Sequence, residues 1–103
     1  MIKFTTRHKC NDITELLDII LTFPDESRNK LHQFYSDLLE NGVIVDLEFK
    51  HTETEFSSII TLRDKEALIT FLSQLNNIKD NYVGFMHEKF NGVIIERQTS
   101  IIQ

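Results

Sequence analysis

The sequence predicts an α+β fold, a mostly antiparallel sheet with its helices packed on one face. Three observations predict it. Apolar residues alternate with polar ones near the start, in two neighbouring runs at mid-chain and again near the end. Between those runs they recur every three or four residues, the spacing of an amphipathic helix. Glycine and proline are scarce, three and one in 103 residues, so most of the chain lies in regular elements.

Taken in order, Ile2, Phe4 and Thr6 alternate with Lys3, Thr5 and Arg7, which describes a short half-buried strand. "HKCND" breaks the pattern. Asp12, three residues before Glu15, fits a variant capping box with Asp as the cap. Ile13, Leu16, Leu17, Ile20 and Leu21 then form a helical stripe over 12–22. Pro24 interrupts it, and proline is tolerated only in the first turn of a helix. Leu31, Phe34, Tyr35, Leu38 and Leu39 place a second helix over 24–40, or continue one long helix kinked at Pro24.

Asn41-Gly42 ends that stripe, so Gly42 is a helix C-terminal glycine in the left-handed region. Val43, Val45, Leu47 and Phe49 alternate with Ile44, Asp46, Glu48 and Lys50; after the polar "HTETE", Phe56, Ser58, Ile60 and Leu62 alternate again. The two runs form an antiparallel hairpin. Asp64 caps a third helix with Leu68, Phe71, Leu72 and Leu75 on one face and Asn76-Asn77 at its end. Residues 82–88 and 93–98 read as a final hairpin turning at Asn91-Gly92. The tetrapeptide Asn-Gly-Val-Ile therefore occurs twice for one backbone reason in two settings, and it marks no internal repeat.

The order is β-α-α-β-β-α-β-β. Taking the first two helices as one crossover leaves a split βαβ pair and a further strand, a ferredoxin-like two-layer sandwich in a single domain, 1–103. Val43, Val45, Leu47, Phe49, Phe56, Ser58, Ile60 and Leu62 are expected to face the helices. Ile44, Asp46, Glu48, Ile59 and Thr61 are expected on the outer face, a mixed surface suited to dimerisation through sheets. The stretch from the hairpin through "LRDKEALITFLSQL" resembles, in pattern and over about a third of the chain, the second half of ferredoxin-like ligand-sensing and dimeric α+β barrel domains.

A net charge of −5 and a pI near 5.3 argue against general DNA or RNA binding, which runs on Lys and Arg neutralising phosphate, and against an anionic membrane surface. No apolar run approaches the roughly 20 residues that span a bilayer. "MIKFTTRHKC" lacks the apolar centre of a signal peptide. Cys10 is the single cysteine. These features predict a protein of a reducing compartment, in the cytoplasm of its producer or of an infected host cell.

Motifs for chemistry are sparse. His8, His32, His51 and His87 form no metal-ligand spacing, and "HKC" lacks the surroundings of a cysteine nucleophile. His87-Glu88 belongs to no zincin motif, because Asn91 stands where the second His is needed. Gly42, Gly84 and Gly92 are too far apart for a phosphate loop. Tyr35 belongs to the core stripe, Tyr82 lies near the last turn, and Ile101-Ile102 either extend the last strand or offer a partner an apolar handle. Asp46, Glu48, Glu53 and Glu55 concentrate negative charge on the central hairpin, where they serve either as a solvated edge or as a surface for a basic partner.

The expectation is a non-enzymatic module without cofactor or metal. It binds another protein stoichiometrically and occludes a basic functional surface, as an inhibitor of the immunity, antitoxin or phage anti-defence kind; a homodimer is compatible with this. The alternative is a ligand-binding or enzymatic dimeric α+β barrel-type domain.

Overall fold

A computed structural model describes residues 1–22, 25–78 and 92–103. The described elements are β1 (Ile2–Cys10), α1 (Ile13–Leu21), α2 (Asp25–Glu40), β2 (Ile44–His51), β3 (Glu55–Leu62), α3 (Lys65–Ile78) and β4 (Ile94–Ile102). The sheet has four strands in the order β2-β3-β1-β4, every neighbouring pair antiparallel. This is the ferredoxin-like arrangement, α+β as the alternation predicts. The expected strand over 82–88, with Tyr82 and His87, lies outside the described residues, as does Pro24.

Local chemistry sets the element ends. Asp12 caps α1, its Oδ1 accepting from the Thr14 N–H at 2.9 Å. Asp64 caps α3, its Oδ1 accepting from the Ala67 N–H at 2.8 Å. At the end of α2, Gly42 takes φ +74. The Val43 N–H then donates to the Leu38 carbonyl at 3.0 Å and the Gly42 N–H to the Leu39 carbonyl at 3.2 Å. Those two bonds are a Schellman cap, which needs a residue that tolerates positive φ. Gly92, at φ +84, leads into β4.

The core lies between the sheet and the α2 and α3 helices. Ile2, Ile44, Ile60 and Leu62 from the sheet meet Phe34, Leu38, Ala67 and Phe71, with Phe4 and Leu47 packed against them. Phe4 and Phe71 meet edge to face, ring centroids 5.5 Å apart. A smaller cluster joins Cys10, Leu16 and Val93 under α1. Burying a side chain of this size stabilises by about 1.5–3 kcal/mol.

Two face assignments need correction. Val45, expected inward, is 45 % exposed, while Ile44, expected outward, is 1 % exposed. A bulge is the cause: Ile44 pairs with Leu62 and Asp46 with Thr61, so one extra residue sits in β2 and resets its alternation. On α1, Leu17 and Leu21 belong to the expected stripe but stand exposed, while Leu16 is buried with Ile13 and Ile20 beside it.

Candidate functional site: the polar sheet face

The register defines the face that no described helix covers. β2 contributes Asp46, Glu48 and Lys50; β3 contributes Glu55, Ser57, Ile59 and Thr61. Beside them β1 places Lys3, Thr5, Arg7 and Lys9, and β4 places Glu96, Gln98, Ser100 and Ile102. The middle of this face is apolar or hydroxylated. Thr61 is only 8 % exposed, flanked in register by Lys3 and Asp46.

Charge on the face is balanced. Lys3, Arg7, Lys9 and Lys50 oppose Asp46, Glu48, Glu55 and Glu96. Arg7 Nε lies 2.6 Å from Glu55 Oε1, Lys9 Nζ 3.6 Å from Glu96 Oε2, and Lys50 Nζ 3.6 Å from Glu48 Oε1. Exposed pairs of this kind contribute about 0–1 kcal/mol each, so they shape the surface potential more than the stability. Of the four hairpin carboxylates singled out in the sequence, Glu48 and Glu55 thus sit beside cations. Asp46 is exposed on the same face and Glu53 on the connecting loop. The acidic run does not stand alone because β1 lays its cations next to it. The signal was the alternation of Lys3, Thr5 and Arg7 with Ile2 and Phe4.

The excess negative charge lies elsewhere. Residues 12–40 hold seven carboxylates against two cations, a surplus equal to the chain's net −5. Asp12, Glu15, Asp18, Asp37 and Glu40 among them are exposed. No aromatic ring lies on the uncovered face among the described residues; Phe4, Phe49 and Phe56 all belong to the opposite register. Stacking of bases on a sheet, a common way of holding single-stranded RNA, needs such rings, and the described residues place none there.

At the hairpin end, Arg7, Phe49, Lys50, His51, Thr52, Glu55 and Ser57 line an open groove of about 530 Å³. Its strongest cation, Arg7, is engaged by Glu55. His51 and His32 are exposed, and His8 packs beside Phe56, ring centroids 6.3 Å apart. No group of three His, Cys, Asp or Glu side chains among the described residues could hold a metal ion. Cys10 is buried, and burial together with the Asp12 and Glu15 carboxylates pushes its thiol above the ordinary range. A raised pKa favours the thiol over the thiolate that nucleophilic chemistry uses. No described helix is long and apolar enough to cross a membrane.

No family model matches the chain, and no curated protein matches it either. Solved structures do. A dimeric ferredoxin-like protein from an uncultured marine organism superposes with a TM-score of 0.69 at 11 % identity, over 97 % of this chain and 84 % of that one. Protein Atu4242 from Agrobacterium tumefaciens superposes with a TM-score of 0.55 at 11 % identity, over 100 % of this chain and 92 % of that one. At such identity the likeness is one of fold: the chain is a ferredoxin-like α+β protein.

Proposed function

We propose that the protein is a non-catalytic, stoichiometric protein-binding module that works as a homodimer. The uncovered sheet face takes a second copy. The acidic crossover from Asp12 to Glu40 remains outward and occludes a basic functional surface of a partner protein, as an inhibitor would. The observation that carries this reading is the separation of charge: a balanced sheet face with an apolar and hydroxylated middle, and five exposed carboxylates, Asp12, Glu15, Asp18, Asp37 and Glu40, on the helical crossover. A balanced face suits self-association, because like charges need not be buried against each other. A concentrated acidic layer steers a basic partner at long range and gives an association rate that falls with salt. The dimeric state of the marine ferredoxin-like protein supports the first half of the reading.

The test has two arms. Light scattering measures the mass of the wild type in solution, and a dimer is expected. Affinity capture then compares the wild type with Glu15→Lys/Asp18→Lys, two exposed changes on α1. A partner held by the wild type at physiological salt and lost by the variant is the expected result. Capture of nothing, or of the same protein by both baits, rejects the docking role.

A second reading, a ligand-binding or enzymatic dimeric α+β barrel domain, draws on the groove where Arg7, Lys50 and His51 converge. Saturable heat release on titrating small carboxylates or phosphates, abolished by Lys50→Ala, would favour it over the first.

A further inference from the structure

The register also says how two copies meet, an inference that rests on the homodimer proposed above. Two sheets packed face to face by a two-fold axis lying between them have two simple choices. An axis along the strands, between β1 and β3, sets β1 of one copy over β3 of the other and keeps each residue's height along the strand. An axis across the strands sets β1 over β1 and reverses the heights.

The charges separate the two. Lys9 and Glu55 are register partners at one end of the face, on the two central strands. With the axis along the strands, Lys9 of each copy falls on Glu55 of the other, twice by symmetry. Ile59 falls on Thr5 in the middle, their register pairing carried across the interface. With the axis across the strands, the Lys3 end of β1 falls on the Lys9 end of its own counterpart, two cations opposed twice over. The same arrangement would bring Glu48 to Lys50, which already lie 3.6 Å apart within one chain, just as Lys9 and Glu55 already have Glu96 and Arg7 beside them, so the opposed lysines decide between the two axes. Packed sheets cross at about 30°, a rotation that long Lys and Glu side chains at the rim of the contact span.

We propose that the dimer forms through the uncovered sheet face about a two-fold axis along the strands, with Lys9 of each copy paired to Glu55 of the other. Lys9 is 57 % exposed at its side chain and its partner within the chain, Glu96, lies 3.6 Å away, so reversing its charge leaves the monomer's core untouched.

The experiment compares wild type, Lys9→Glu, Glu55→Lys and a mixture of the two variants by sedimentation velocity, with thermal melts to show that each is folded. Each variant alone is expected to lose the dimer, its mass falling by half, because like charges meet at both symmetric contacts. The mixture is expected to regain it as a heterodimer, since each contact then holds one Lys and one Glu. Mixing repairs no pair within a chain, so recovery reports a contact between copies. If Glu55→Lys does not fold, loss of the wild-type dimer on Lys9→Glu and its retention in Lys9→Gln at low salt carry the same expectation. A wild type that dimerises while both variants also dimerise overturns the pairing and leaves the homodimer reading standing. Two monomeric variants that stay monomeric when mixed overturn the pairing as well. A wild type that remains a monomer overturns both.

Discussion

The two faces of the one sheet are built from the same strands in opposite register, and they follow different physics. On the covered face, Ile2, Ile60, Leu62 and Ile44 are all at 5 % exposure or less, meeting Phe71 and Leu38 at 1 %. On the other, cations and carboxylates alternate around Thr5, Ile59 and Thr61. The first face gains its stability from area removed from water, which is indifferent to orientation and sensitive to every missing methylene. The second contributes little to holding the monomer, because its ion pairs are exposed and screened. Its pattern of signs instead governs what can lie against it. A period-two sequence thus gives one element two faces with different physics.

Breaking the covered face has the largest expected effect. Phe71→Ala removes a ring packed against Phe4 and Phe34, with ring centroids 5.5 and 6.1 Å away, and costs about 3–5 kcal/mol. Stability of a domain this size is about 5–15 kcal/mol, so urea denaturation shows a large fall in midpoint. The bulge in β2 sharpens the comparison within two adjacent residues. Ile44→Ala costs about 2–5 kcal/mol, whereas Val45→Ala, at an exposed bulge position, costs no more than about 0.5 kcal/mol. A larger loss at Val45 than at Ile44 would mean that the alternation runs unbroken and that the faces of these two residues are exchanged.

The next effect belongs to the turn that joins α2 to β2. Gly42→Ala forces a side chain into φ +74 and costs about 1–2 kcal/mol, measured the same way. The added Cβ would meet the Arg63 guanidinium at 3.5 Å, an ordinary contact, so the loss reports backbone conformation alone. Gly42→Asn, which tolerates the left-handed region better, recovers part of it.

Much of the covered layer was legible in the sequence because its signals are local. The Asp12 and Asp64 caps, the Gly42 stop and the stripe of Leu68, Phe71, Leu72 and Leu75 each depend on residues within a few positions of one another. The β2 bulge was not legible. One extra residue in a strand has no sequence mark when Val43, Ile44 and Val45 are all apolar, and only the pairing with Leu62 and Thr61 reveals it. Leu17 and Leu21 were misplaced for a related reason: a helix rich in apolar residues does not state which edge of its stripe meets the core. The uncovered face was legible strand by strand but not as a whole. The cations of β1 lie some fifty residues from the carboxylates of β2 and β3, and only the strand order β2-β3-β1-β4 brings them together. The acidic hairpin therefore looked like an isolated patch, when Arg7 lies against Glu55 at 2.6 Å.

The smallest expected effect concerns how the covering layer is anchored in acid. The Ala67 N–H and the Arg63 guanidinium hold the Asp64 carboxyl below its ordinary range. A carboxylate depressed in the folded state adds stability above the pKa of the unfolded chain, and loses it as pH falls through the folded value. The contribution is therefore complete near neutrality and fades only below about pH 4, the ordinary aspartate range. Asp64→Asn keeps an oxygen to accept from Ala67 but removes the charge, so the cap survives at neutral pH while part of the acid-dependent loss disappears. Chemical denaturation of both proteins across the acid range should give curves that lie closer together at low pH than at neutral pH. Curves that run parallel would mean that the bond to the Ala67 N–H is indifferent to the charge of its acceptor, and that the α3 N-terminus is held by packing of Ala67 and Phe71 against the covered face alone.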